Sequence, residues 1–195
     1  MTLLILGLLI FLGVHSIRIV AEPWRATQIA RIGERGWKGS FALASAIGLA
    51  LIVWGYGLAR AHPVILWAPP TAARHIAAPL TALAFILLAA AYVPRNRIKT
   101  VIGHPMLAGI FIWALAHLLA NGTLSAAILF GAFLVWAALD FTSARRRDRL
   151  TGTLYPAGTI ARDATAIAIG LAGWVLFAFL LHGWLIGVQP FARMH

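Results

Sequence analysis

Long apolar runs alternate along this chain with short polar or basic connections. Thr2 to Val20 is the first run, long enough to cross a bilayer at about 20 residues. A basic stretch, Ala21 to Lys38, follows it and reads as a loop. The pattern then predicts spans over Gly39–Leu58, Ala73–Val93, about Met106–Ala120, Leu124–Phe141 and Asp163–Val188. Connections fall at Ala59–Ala72, Pro94–Gly103, Asn121–Thr123 and Thr142–Arg162. The first run lacks a basic leader and a small-residue cleavage site, so it reads as a span and not as a signal peptide. The expectation is an all-α integral membrane protein of six transmembrane helices in a single domain, 1–195.

The fourth run organises the rest. His104-Pro105 opens it, with proline suited to the first helical turn, and Asn121-Gly122 closes it as a cap and turn. Between them His117 is its one ionisable residue. A helix would separate His104 from His117 by about 20 Å along its axis. Ionisable groups within a span are costly and read as functional by default.

Composition agrees with the pattern. The 195 residues are 62% hydrophobic and 11% charged, against about 25% charged in soluble domains. The formal net charge of +11 does not point to nucleic acid here, because its distribution follows the spans. All but three of the 16 Lys and Arg residues, the exceptions being Arg60, Arg74 and Arg193, fall at one end of the spans. Positive residues collect on the cytoplasmic side. The chain is therefore expected in a bacterial inner membrane, multi-pass, with both termini periplasmic and the lipid bilayer as its first partner. Cysteine is absent, which excludes disulfides, thiolate metal ligands and cysteine nucleophiles. There is no Walker loop, paired-carboxylate site, Ser/His/Asp grouping or zinc motif.

Topology sorts four histidines by depth. His15 and His104 fall toward the basic end, and His75 and His117 toward the other. Imidazole is a ligand of haem iron and of transition metals. Facing histidines on separate helices can hold such a group within a bundle. The competing account for each is an interfacial or hydrogen-bonded histidine. His62, His182 and His195 read as interfacial or tail residues.

At these positions the chain resembles a known family. The segments His15-Ser16-x-Arg18, Gly33-Glu34-Arg35, Pro94-x-Asn96-x-Ile98-Lys99, His104-Pro105-x-x-x-Gly109 and Trp113 to Gly122 are similar to those of the NnrU family of bacterial membrane proteins. The same pattern is similar to the haem-containing zeta-carotene isomerase. The resemblance implies a link to denitrification and nitric oxide metabolism, a noncovalent haem b, and axial ligation by His15 and His117. The isomerase carries a cysteine, an alternate iron ligand, three residues before its second histidine. Ala114 stands there in this chain, so that ligand switch is unavailable. The depth argument favours different pairs, because His15 and His117 come out about 15 Å apart along the membrane normal. His15 with His104, or His75 with His117, are the depth-matched contenders.

Other residues complete the expectation. Arg18, Arg95 and Arg97 are candidates to pair with haem propionates, against the simpler account of membrane orientation. Asp163 opens a helix, where its charge suits the dipole. Asp140 closes one, so a loop arginine is expected beside it. Trp24, Trp37, Trp67 and Trp184 read as an interfacial belt, and Trp54, Trp113, Trp136 and Trp174 as packing. Met106 reads as core, and Arg145 to Arg149 as a solvated loop. The function expected is a haem-dependent redox or isomerising enzyme for a small or lipophilic substrate, nitric oxide included, possessing a redox partner. The alternatives are a non-catalytic electron-transfer or accessory protein, and a haem-free histidine-lined transporter or scaffold.

Overall fold

A computed structural model describes residues 1–190. His195 and Arg193, of the histidines and basic residues named above, lie outside them. The described residues form helices throughout and no strand, the nearest approach being isolated bridges at Ile65–Thr123 and Asn96–Thr159. The helices are α1 (Thr2–Val20), α2 (Glu22–Ala61), α3 (Thr71–Tyr92), α4 (Arg97–Ile102), α5 (Pro105–Ala120), α6 (Leu124–Thr151), α7 (Ile160–Leu176) and α8 (His182–Ile186). A π-helical turn, Phe177–Leu181, joins the last two. Five helical stretches are long and apolar enough to cross a membrane, and α5 is a shorter apolar helix. The protein is an all-α membrane protein.

The first connection is not a loop. Ala21 is its only non-helical residue besides Gly33, and α2 runs from Glu22 through both the basic stretch and the second apolar run. Hydropathy marks where lipid begins, not where a helix begins. Ala, Arg, Gln and Glu in this stretch are good helix formers, and Pro23 sits in the first turn, where its missing N–H is tolerated. The break comes at Gly33, with φ 74° and ψ 164°, a conformation open essentially to glycine alone. Trp24 and Trp37 meet across it with ring centroids 5.9 Å apart. Gly33→Ala is expected to lower thermal stability in detergent by about 1–3 kcal/mol, the cost of that strain. Circular dichroism melts check this. An interior helical glycine with ordinary angles would instead gain stability on the same change.

Two further connections carry helix. Between α3 and α5, Asn96 accepts from the backbone N–H of Lys99 at 2.7 Å and so caps α4. That side chain is buried and also donates to the Ala90 carbonyl at 2.8 Å. The Arg145–Arg149 run is the end of α6, which stops at Gly152 in the left-handed conformation. Asp140 has the arginine expected of it, Arg147, at 3.5 Å. Asp163 does more than begin its own helix, for its carboxylate accepts from the backbone N–H of Arg97 at 2.6 Å.

Packing runs in the order α2, α1, α6, α5, α3, α7. Antiparallel α1 and α2 meet backbone to backbone through Gly7, Gly48 and Gly55. A Cβ on Gly7 would come 2.6 Å from the Ile52 nitrogen, and one on Gly55 would strike the Leu4 backbone. In lipid, such close approach is a main source of helix association, since burial of apolar surface drives little. The principal core joins Leu4, Leu8, Ile52, Ala114, Ala126, Leu129 and Phe130. The connections alternate ends. Val64, Leu66 and Trp67 are bonded to the Gly122–Leu124 turn at one end, and Arg95 and Arg97 to Thr159 and Asp163 at the other.

Candidate functional site

At the basic end the C-terminal turns of α1, α2 on both sides of its Gly33 break, the end of α3, the α4–α5 junction and α6 line a half-open cavity of ≈590 Å³. Its size lies within the range of small-molecule and cofactor sites, about 300–1,000 Å³. Val14, Ile17, Phe41, Leu107, Met106 and Trp136 give it apolar walls. Arg18, Arg25, Lys38, Lys99 and Arg147 add five cations, against one carboxylate, Asp140.

His15 lines this cavity from α1. Its Nδ1 lies 2.7 Å from the Phe11 carbonyl oxygen one turn back. A carbonyl only accepts, so Nδ1 carries a proton, and in the neutral ring Nε2 is then the lone pair. Fixing one ring nitrogen this way is how a ligating histidine is held in tautomer and orientation. Phe11 stacks on the imidazole at 4.3 Å, Phe41 lies at 4.8 Å, and Trp136 stands edge-on at 5.9 Å.

His104 lines the same cavity from the α4–α5 junction. Its Nε2 is 2.9 Å from Asp148 Oδ2 and 3.2 Å from the Tyr155 hydroxyl oxygen. The Tyr155 hydroxyl donates to the same carboxylate oxygen at 2.7 Å. The Tyr155 hydroxyl, with help from His104 and Arg145, holds the Asp148 carboxyl below the usual carboxylate range against the opposing effect of burial. Burial first, and then the hydrogen bond to Asp148 and its charge, push the Tyr155 phenol up to about 12. An ionised carboxylate and a protonated phenol leave His104 Nε2 to carry a proton. Gly103 allows the approach: with φ 79°, it has Arg145 and Tyr155 where a Cβ would sit.

His117 is held by the same device as His15. Its Nδ1 lies 2.8 Å from the Trp113 carbonyl oxygen, and Phe130 stacks on the ring at 4.6 Å. It does not line the cavity. Rings of Phe11, Phe133 and Trp113 lie between it and His15, with successive centroids 5.8 and 5.7 Å apart. The α6 residues that touch the two histidines, Trp136 and Phe130, are six positions apart, about 9 Å along the axis. His75 is exposed in the first turns of α3, at the end where His117 lies.

The structure thus brings His15, His104 and Arg18 to one cavity and leaves His117 and His75 outside it. Arg95 and Arg97 are also outside, and Arg97 faces Asp163 at 4.0 Å. Lys99, Arg147, Asp148, Tyr155, Trp37 and Trp136 were not singled out for this site by sequence reasoning. Lys99 shares a motif segment with Asn96, and that spacing was its only available signal. Trp136 was read as packing, yet it lines the cavity with a buried indole N–H that has no partner among the described residues. No group of three or more His, Cys, Asp or Glu among those residues is arranged to hold a metal ion by itself.

No curated protein and no solved structure matches the chain. The family model described as NnrU protein matches residues 3–190, nearly the whole sequence, and the chain belongs to that family.

Proposed function

We propose that this protein binds haem b noncovalently in the cavity at its basic end, within a bacterial inner membrane, in a role tied to denitrification and nitric oxide metabolism. The observation that carries the reading is His15, which lines a cavity with apolar walls and a cationic lining and whose Nε2 has no hydrogen-bond partner among the described residues. The donor set fits the group. A neutral imidazole is the ligand haem iron takes most readily. Arginine and lysine suit two propionates. Trp136 supplies a buried donor without a partner. Bound there, haem would supply a redox-active iron able to take a diatomic ligand or to polarise a lipophilic substrate.

The chain's own residues have separable parts. His15 holds the group, and the Phe11 carbonyl fixes its imidazole. Arg18 and Lys99 hold carboxylates and keep the group in one orientation. Phe41 and Trp136 exclude water from the inner wall. His104 stays with Asp148 on another wall. In the membrane, the six apolar segments cross, with the basic end cytoplasmic and both termini periplasmic. For α5, sixteen residues span about 24 Å, which a local thinning of the bilayer accommodates.

One observation favours a second reading, ligation by His15 with His117: both imidazoles have Nδ1 bonded to a backbone carbonyl one turn back and Nε2 free. That pair would need the Phe133 layer to open. Absorption spectra of the detergent-purified protein test the proposal. A Soret band, and a change on adding carbon monoxide or nitric oxide to the reduced form, are expected. A Soret band with no such change would favour an electron carrier with two fixed ligands. Its absence after haem is supplied during expression would remove the proposal and move weight to a haem-free transporter or scaffold.

A further inference from the structure

We propose that His104 is the proton acceptor of the basic-end cavity, positioned by Asp148 and Tyr155, for a ligand that joins an apolar body to an acidic O–H or N–H. The proposal rests on the cavity and not on haem. Three observations carry it.

The first is the tautomer. Asp148 Oδ2 receives both the Tyr155 hydroxyl at 2.7 Å and His104 Nε2 at 2.9 Å. With Nε2 protonated, Nδ1 is the ring's only acceptor. The second is counter-charge. When Nδ1 takes a proton, the resulting imidazolium lies against the Asp148 carboxylate, and a carboxylate so placed orients the base and stabilises its charged form. The third is the fate of the ligand. Losing its proton leaves an anion in a cavity whose lining includes Lys99, Arg147 and Arg18. The charged groups around His104 are therefore Asp148 and Arg145 on its α6 side, with Asp140, Lys99, Arg147, Arg18, Arg25 and Lys38 in the cavity.

The step is a single proton transfer. The ligand's O–H or N–H bond breaks, an Nδ1–H bond forms, and the electron pair stays on the ligand. Return of the proton, from Nδ1 to the ligand or to water at the basic end, closes the cycle. No oxidant or reductant is needed. His104 touches the ligand and would be the catalytic residue, while Asp148 acts through it.

The test uses the full chain in detergent with two readouts. Histidine labelled with ¹⁵N reports the His104 tautomer. Tryptophan fluorescence reports binding of dodecylphenol and of its methyl ether, which lacks the acidic proton. His104 in the unmodified protein is expected as the Nε2–H form. Asp148→Asn keeps an acceptor oxygen and retains that form, whereas Asp148→Leu gives a mixture, which a merely structural role for Asp148 would not produce. The phenol is expected to bind about tenfold more tightly than the ether, the value of one good hydrogen bond. His104→Phe, which preserves an aromatic ring, abolishes that preference. An Nδ1–H form in the unmodified protein, equal binding of phenol and ether, no binding of either, or a preference that survives His104→Phe would each overturn the proposal. Loss of the Soret band alone would count against the haem reading and leave this one standing.

Discussion

His15→Ala is expected to lower the haem content of purified protein by at least about tenfold, the least that loss of an axial ligand should cost when loss of the group orienting one costs ten- to a hundredfold. His15 is the residue on which both ligand readings agree. The side chain contributes the free Nε2 and is held by the Phe11 carbonyl, whereas the His104 ring is committed through its own Nε2 to Asp148. His104→Ala should retain haem, because the Phe11-anchored ligand stays. His117→Ala decides between the readings. Retention supports ligation at the cavity alone, and loss equal to that of His15→Ala supports the pair drawn from the family. Haem per protein, measured by pyridine haemochrome against protein mass, checks all three. Haem retained at the unmodified level in His15→Ala would defeat both readings together.

The second large effect is on folding. Gly55→Ala is expected to destabilise the protein by about 3 kcal/mol, the upper part of the overpacking range. Its new methyl would strike the backbone of Leu3 and Leu4, which cannot rotate aside as a side chain could. The α1–α2 pair would have to part, and with it the ordered placement of His15 on α1. Gly57→Ala, two residues on, is the matched control. Nothing lies within 4 Å of its Cβ position, so the change should be neutral or gain about 0.5–1 kcal/mol of helix propensity. Thermal or denaturant unfolding of the two variants side by side would show whether helix contact or helix propensity dominates here. Equal stabilities would mean that the close α1–α2 approach carries little energy.

The membrane character, the apolar runs and the alternation of the basic connections could be read from the chain, because hydropathy and charge are summed over many residues. Helix boundaries at the basic end could not. Glu22–Ile32 and Arg145–Arg149 are polar, and polarity reads as loop, although their residues are good helix formers. Depth placed His15 with His104 correctly at one end, because rise per residue is a fixed quantity. It could not show what lies between His15 and His117. That layer depends on where Phe11 and Phe133 turn about their own helices, and each helix is apolar nearly all round, so no face was marked. Asp148 and Tyr155 were hidden for another reason. Their meeting with His104 depends on the fold of the Thr153–Thr159 segment, which no periodicity describes.

The rings between His15 and His117 also bear on energy conservation. Phe11 and Phe133 carry no group that can give or take a hydrogen bond. On the direct line of ring contacts between the two histidines these two side chains therefore carry no proton. Through that line of contacts, a reaction at the basic end would exchange no proton with the opposite end of the helices, so it would not by that route couple to an electrochemical gradient.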